Sequence, residues 1–245
     1  MDRRGFVKLC ASTAAGVGAS PSVLAHASKA PLKLYERVKL VDHRGHALNP
    51  DFLNKGENYV FNYPYITTPC FLLNLGREII QTQELHTEAG EDYLWPGGVG
   101  RRRSIVSFSA ICAHKMSHPA KAVSFINYRP ETVNFRNSHQ QLVHRNGVIF
   151  CCSEKSVYDP ARGAEVLGGP AKQPLCTILI EYQEQENALY ALGSYGGEMF
   201  EKFFKRFTPR LRIEYERPDV DARVAHQARV LPISEYSRSQ MLCGT

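Results

Sequence analysis

The chain has 245 residues, enough for one decorated domain or two small ones, and its 43% hydrophobic share excludes a disordered type. The net charge of +6 is mild, and its densest basic cluster is Arg101-Arg102-Arg103. That balance suits an acidic partner surface but argues against nucleic acid as a partner.

The chain opens with Asp2-Arg3-Arg4-Gly5-Phe6-Val7-Lys8, followed by a weakly apolar Ala/Gly-rich run. This resembles a twin-arginine export signal over residues 1–27, with Ala25-His26-Ala27 as a small-x-small cleavage site. Lys8, Gly16, Gly18 and Pro21 interrupt the run, which lacks about 18 strongly apolar residues and so does not read as a spanning helix. The expectation is a periplasmic protein, or a membrane-associated one if the signal stays uncleaved as an anchor. Export of this kind carries folded proteins, often with a cofactor already loaded, which favours a metal centre.

Beyond the signal, residues 28–54 are expected as an N-terminal extension containing one half-exposed strand from Lys33 to Asp42. Tyr59–Tyr63 and Cys70–Leu75 read as two strands, with Pro64 and Pro69 marking the bend between them. Residues 82–103 are polar and end in a turn-rich Trp95-Pro96-Gly97-Gly98-Val99-Gly100 loop. Ser104–Ile111 is the strongest strand pattern, and it delivers Cys112 at its end. Ala122–Tyr128 is a further strand, residues 129–146 a surface excursion, and Gly147–Phe150 a short strand delivering Cys151.

Gly168–Leu175 is a Gly/Pro loop, and Thr177–Tyr182 and Ala188–Tyr195 form a hairpin. Phe200, Phe203, Phe204 and Phe207 then fall at i, i+3, i+4 and i+7, the apolar stripe of an amphipathic helix packed on a core. Leu211–Tyr215 reads as one more strand within a C-terminal extension, 208–245. Many short strands with Gly/Pro turns and one clear helix predict an all-β domain over 55–207.

The seven cysteines, at 10, 70, 112, 151, 152, 176 and 243, lack the spacing of a disulfide scaffold. Cys70 and Cys176 sit in apolar runs and are expected as inert core thiols. Adjacent Cys151 and Cys152 point to opposite faces of a strand and are not expected to bond each other. The chemistry concentrates in two stretches, Cys112-Ala113-His114 and Cys151-Cys152-Ser153-Glu154-Lys155-Ser156-Val157-Tyr158-Asp159. Thiolate and imidazole are ligands suited to iron or zinc. A Cys-x-His pair with a Cys-x-x-His pair is the arrangement that holds a Rieske [2Fe–2S] centre, two thiolates on one iron and two imidazoles on the other.

From about Tyr63 to Gly197 the chain resembles the Rieske protein family, more closely the small-subunit type that accompanies arsenite oxidase. The resemblance rests on Tyr63-Pro64, Pro69-Cys70, Gly97–Gly100, Ile105–His114, Cys151–Asp159, Gly169-Pro170-Ala171 and Pro174-Leu175. It implies a fold of stacked antiparallel sheets with a small cluster-binding subdomain (loops 112–118 and 151–159, proline loop 168–175) and one C-terminal amphipathic helix. It implies a [2Fe–2S] cluster held by Cys112, His114 and Cys151. Ser156 and Tyr158 would hydrogen-bond its sulfurs, and Gly169 and Pro170 would cover it.

The chain departs from the family at the fourth ligand. Counted back from Tyr158-Asp159, that position is Glu154; counted forward from Cys152, it is Lys155. The two positions of the family's optional disulfide are Ser117 and Ser153. Four completions stay open: an oxygen ligand from Glu154, a third thiolate from Cys152, a histidine such as His118, His139 or His144 swinging in, or no cluster at all.

The expected role is one-electron transfer within a periplasmic or membrane-associated oxidoreductase, partnered by a larger oxidoreductase subunit or a cytochrome-type carrier. No nucleophile–base pair or paired carboxylates appear at a spacing that would make the chain a stand-alone catalyst. The alternatives are a cluster-less interaction subunit and a mononuclear zinc site on Cys112, His114 and Cys151.

Overall fold

The protein is described by a computed structural model covering residues 32–244, so the stretch 1–27, expected as an export signal, lies outside the described residues. Among the described residues, sixteen strands and one long helix make it mostly β, as the strand pattern predicts. An eight-stranded sheet runs in the order β15-β1-β14-β13-β6-β3-β2-β16. Its strands are β1 (Lys33–Val41), β2 (Tyr59–Asn62), β3 (Pro69–Asn74), β6 (Ile105–Ser109), β13 (Thr177–Gln183), β14 (Ala188–Tyr195), β15 (Gln227–Arg229) and β16 (Leu231–Pro232). Pairing is antiparallel throughout except between β1 and β15.

Alternation along these strands sends successive side chains to opposite faces of the sheet. Phe71 and Leu73 of β3 join Val106 and Phe108 of β6 and Leu179 of β13 on one face. Cys70, Leu72, Ile178 and Ile180 point to the other. On that second face lies α1 (Phe200–Tyr215), burying Phe200, Phe203 and Leu211. A buried phenylalanine such as Phe203, fully shielded from solvent, contributes on the order of 1.5–3 kcal/mol by removal from water.

Two expectations change here. Leu211–Tyr215 is not a strand but the last turn of α1, and the helix crosses the boundary drawn at 207. The alternation of Leu211, Ile213 and Tyr215 mimics a period of two. Yet Ile213 is 79% exposed while Leu211 is buried, four positions on from Phe207, so the helical stripe continues past Pro209. The stretches expected as extensions also enter the main sheet: 28–54 supplies β1, and 208–245 supplies β15, β16 and a short helix α2 (Ile233–Tyr236). The polar stretch 82–103 holds a hairpin of β4 (Gln83–His86) and β5 (Asp92–Trp95), whose Leu85, Tyr93 and Trp95 reach the core.

The first face of the main sheet carries a smaller four-stranded sheet, ordered β12-β11-β10-β7. It is built from β7 (Ile126–Arg129), β10 (Val148–Cys151), β11 (Ser156–Asp159) and β12 (Glu165–Gly168). Ile126, Ile149, Cys151 and Tyr158 from this sheet share one buried cluster with Phe71, Phe108 and Cys112. The surface excursion closes as a hairpin of β8 (Val133–Arg136) and β9 (Leu142–Arg145). Among the described residues no helix is long and apolar enough to cross a membrane.

Candidate metal centre

The two loops meet where the large sheet ends and the small one begins. The strongest strand, β6, ends at Ser109, and the chain turns tightly: the Cys112 N–H donates to the Ser117 carbonyl (2.8 Å) and the Met116 N–H to the Cys112 carbonyl (2.9 Å). The second loop is the β10–β11 turn, closed by the Lys155 N–H on the Cys151 carbonyl (2.8 Å) and by pairing of Cys151 with Ser156. Gly168-Gly169 comes against this turn. A Cβ on Gly169 would sit 2.2 Å from the Lys155 carbonyl oxygen, so the proline loop can approach only through a glycine, here at φ +84°. Ala171 and Leu175 of that loop are buried in the same core cluster as Cys112 and Cys151, while Gly169 and Pro170 remain exposed.

Cys112 and Cys151 are buried and within hydrogen-bonding reach of each other. The Tyr158 hydroxyl lies 3.2 Å from Cys112 Sγ and accepts the Ala113 N–H at 3.2 Å, which leaves its own proton for the sulfur. The Cys112 thiol is pushed down to about 6, first by the hydrogen bond from Cys151 and then, against the opposing cost of burial, by Tyr158 and the His114 backbone. Cys151 moves up, first because it is the donor in that shared bond and then through burial; Ser117 and the backbone of Glu154 pull it back in part. Tyr158 is pushed well up by burial and by the neighbouring sulfurs. Ser156 is fully buried, its hydroxyl lacking a hydrogen-bond acceptor or donor among the described residues.

On the other side of the loops, His114 and Glu154 face each other, with Nδ1 3.5 Å from Oε2. His114 Nδ1 is shielded from solvent and has no hydrogen-bond partner among the described residues. Lys115 Nζ lies 3.5 Å from the same Glu154 oxygen. Among the described residues no three His, Cys, Asp or Glu side chains converge on one point. That is unsuited to a single ion with three protein ligands. A binuclear cluster asks for something else: two pairs of donors, one at each iron. The two loops present a thiol pair, Cys112 and Cys151, and a separate His114–Glu154 pair.

Two of the open completions are removed by the geometry. Cys152 is not a third thiolate: it is bonded to Cys243, with Cα atoms 5.7 Å apart. The strand alternation that turns Cys151 into the core turns Cys152 outward to the C-terminal tail. The tail is held there by the Met241 N–H on the Ser124 carbonyl (2.8 Å) and by Asn127 Nδ2 on the Met241 carbonyl (3.0 Å). Local sequence carries no trace of this pairing, 91 residues apart.

His118 does not swing in either. Its Nδ1 is tied to the Met116 carbonyl (2.9 Å), and its ring packs edge-on against Phe203 and Phe207, with centroids 4.8 and 5.0 Å away. His139 and His144 lie exposed on the β8–β9 hairpin, where His144 Nδ1 is 2.6 Å from Asn134 Oδ1. Lys155 is exposed and is itself the left-handed residue of the turn, at φ +61°. Cys70 and Cys176 are buried, their thiols pushed up chiefly by burial, which fits their expected inertness.

No family model matches the sequence. Among solved structures the chain is similar to the soluble domain of the Rieske protein II (soxF) from Sulfolobus acidocaldarius, at 22% identity over 67% of this chain and 82% of that chain, with a TM-score of 0.43. A likeness that distant carries no functional weight, and the reading of the site rests on its own residues.

Proposed function

We propose that the chain is an exported Rieske-type iron–sulfur protein, serving one-electron transfer as a subunit of a periplasmic or membrane-associated oxidoreductase. The carrying observation is the buried thiol pair Cys112–Cys151, with Tyr158 spanning Cys112 Sγ and the Ala113 N–H, set beside an imidazole whose Nδ1 is left without a partner. These residues fit a [2Fe–2S] group. Cys112 and Cys151 would hold one iron and His114 would bind the other, while the Ser156 and Tyr158 hydroxyls would donate to sulfur and Gly169-Pro170 would limit water. When bound, such a group supplies a reversible one-electron couple.

The protein's own part is electrostatic. Hydroxyl and amide donors around Cys112 favour added negative charge, and burial keeps that charge unscreened. His114 has 28% of its side chain exposed and so provides the outlet towards a partner. Beside it lies a cleft of about 220 Å³ lined by Lys115, Arg206 and Arg210, a basic rim suited to the acidic face of a cytochrome-type carrier or a larger subunit. The Cys152–Cys243 disulfide is at home in an oxidising compartment, which supports export.

The test is iron and acid-labile sulfide analysis, with the visible spectrum, of full-length protein matured with its N-terminal segment. Two irons and two sulfides per chain are expected, as the cluster formula requires. Zinc without sulfide would favour the mononuclear site. A colourless protein that still copurifies with its partner would favour a cluster-less interaction subunit, a reading supported by the Lys115–Glu154 ion pair closing the site on itself.

A further inference from the structure

We propose that Glu154, through Oε2, is the fourth ligand, so that the outer iron is held by one imidazole and one carboxylate. This rests on the cluster reading above and adds the identity of its missing donor. Two donors each about 2.1 Å from one tetrahedral metal stand about 3.4 Å apart. His114 Nδ1 and Glu154 Oε2 are 3.5 Å apart, and the nitrogen is buried with no hydrogen-bond partner. The remaining candidates are engaged elsewhere: Cys152 in its disulfide, His118 against Phe203 and Phe207. Glu154 also stands three residues beyond Cys151, the Cys-x-x-donor spacing that the β10–β11 turn presents to the first loop.

A carboxylate brings a full negative charge where an imidazole brings none, so the reduced state is less favoured than with two imidazoles. Lys115, 3.5 Å from the same oxygen, is the counter-charge that offsets part of this.

The experiment uses full-length, natively matured wild type, Glu154→Ala and Glu154→His, each analysed for iron and sulfide, for midpoint potential, and by pulsed EPR for strongly coupled nitrogens. The wild type is expected to show one coupled imidazole nitrogen. Glu154→His should show two, with a higher potential, and Glu154→Ala should lose iron by about tenfold or more. A folding check by circular dichroism separates loss of metal from loss of structure. If Glu154→Ala keeps wild-type iron, g values and nitrogen coupling, the carboxylate is not a ligand although the cluster stands. If the wild type holds no iron or sulfide, the cluster reading fails as well, and a cluster gained only by Glu154→His would show that this position disabled the site.

Discussion

The two halves of the candidate centre are built to different standards. The thiol half is buried, roofed by Ala171 and Tyr158, and tied by hydrogen bonds into both sheets. The imidazole–carboxylate half lies at the surface, with His114 and Glu154 side chains 28% and 24% exposed and Lys115 54% exposed beside them. The first half is fixed by core packing and can sustain a charge in a medium of low polarity. The second is open to solvent and to a partner, so it is the half through which electrons and affinity would be tuned.

The largest effect comes from breaking the buried half. Cys112→Ser or Cys151→Ser should abolish iron and sulfide binding, measured on the purified chain, while Cys70→Ser should leave both intact. Next is the tail. Cys243→Ser removes a cross-link spanning 91 residues and should lower unfolding stability by about 2–5 kcal/mol by denaturant titration, with the iron content kept. Tyr158→Phe deletes the hydroxyl on Cys112 Sγ. It should lower the midpoint potential by roughly 60 mV, the equivalent of about 1.4 kcal/mol for one electron. On the exposed half, Lys115→Met should slow association with an acidic electron partner, and raising the salt should shrink the difference between variant and wild type.

The smallest effect is a dependence on pH. Burial holds the His118 imidazole below its ordinary pKa of 6.5, opposed by the Met116 carbonyl and by Glu214, and assisted by Arg210. As pH falls through 6.5 the unfolded chain takes up a proton that the folded chain resists. His118 therefore costs nothing above that range and destabilises the fold below it. Thermal melts at pH 8 and pH 5.5 should show a smaller pH difference for His118→Phe than for the wild type.

The same contrast explains what could be read from the chain alone. The buried half is governed by rules of short range. Compact runs rich in apolar and β-branched residues mark Ser104 to Ile111 and Gly147 to Phe150 as strands, and each leads to a cysteine at or just beyond its end. The helical stripe of Phe200, Phe203 and Leu211 obeys periodicity too, although Pro209 and the alternating Leu211–Tyr215 disguised its last turn. What stayed hidden depends on distant partners. The bond from Cys152 to Cys243, the cage of Phe203 and Phe207 around His118, and the entry of Gln227–Arg229 into the main sheet leave no local pattern. The partner of Glu154 belongs to this second kind: its spacing from Cys151 is visible in the sequence, but His114 at 3.5 Å is not.

The central claim is a one-electron cluster held by Cys112, Cys151 and His114, and a redox titration of the full-length, natively matured protein followed by EPR addresses it directly. A reversible one-electron curve is predicted, with a signal in the reduced state that integrates to one spin per chain and vanishes in Cys112→Ser. A protein that carries no iron or sulfide and shows no signal at any potential would contradict it.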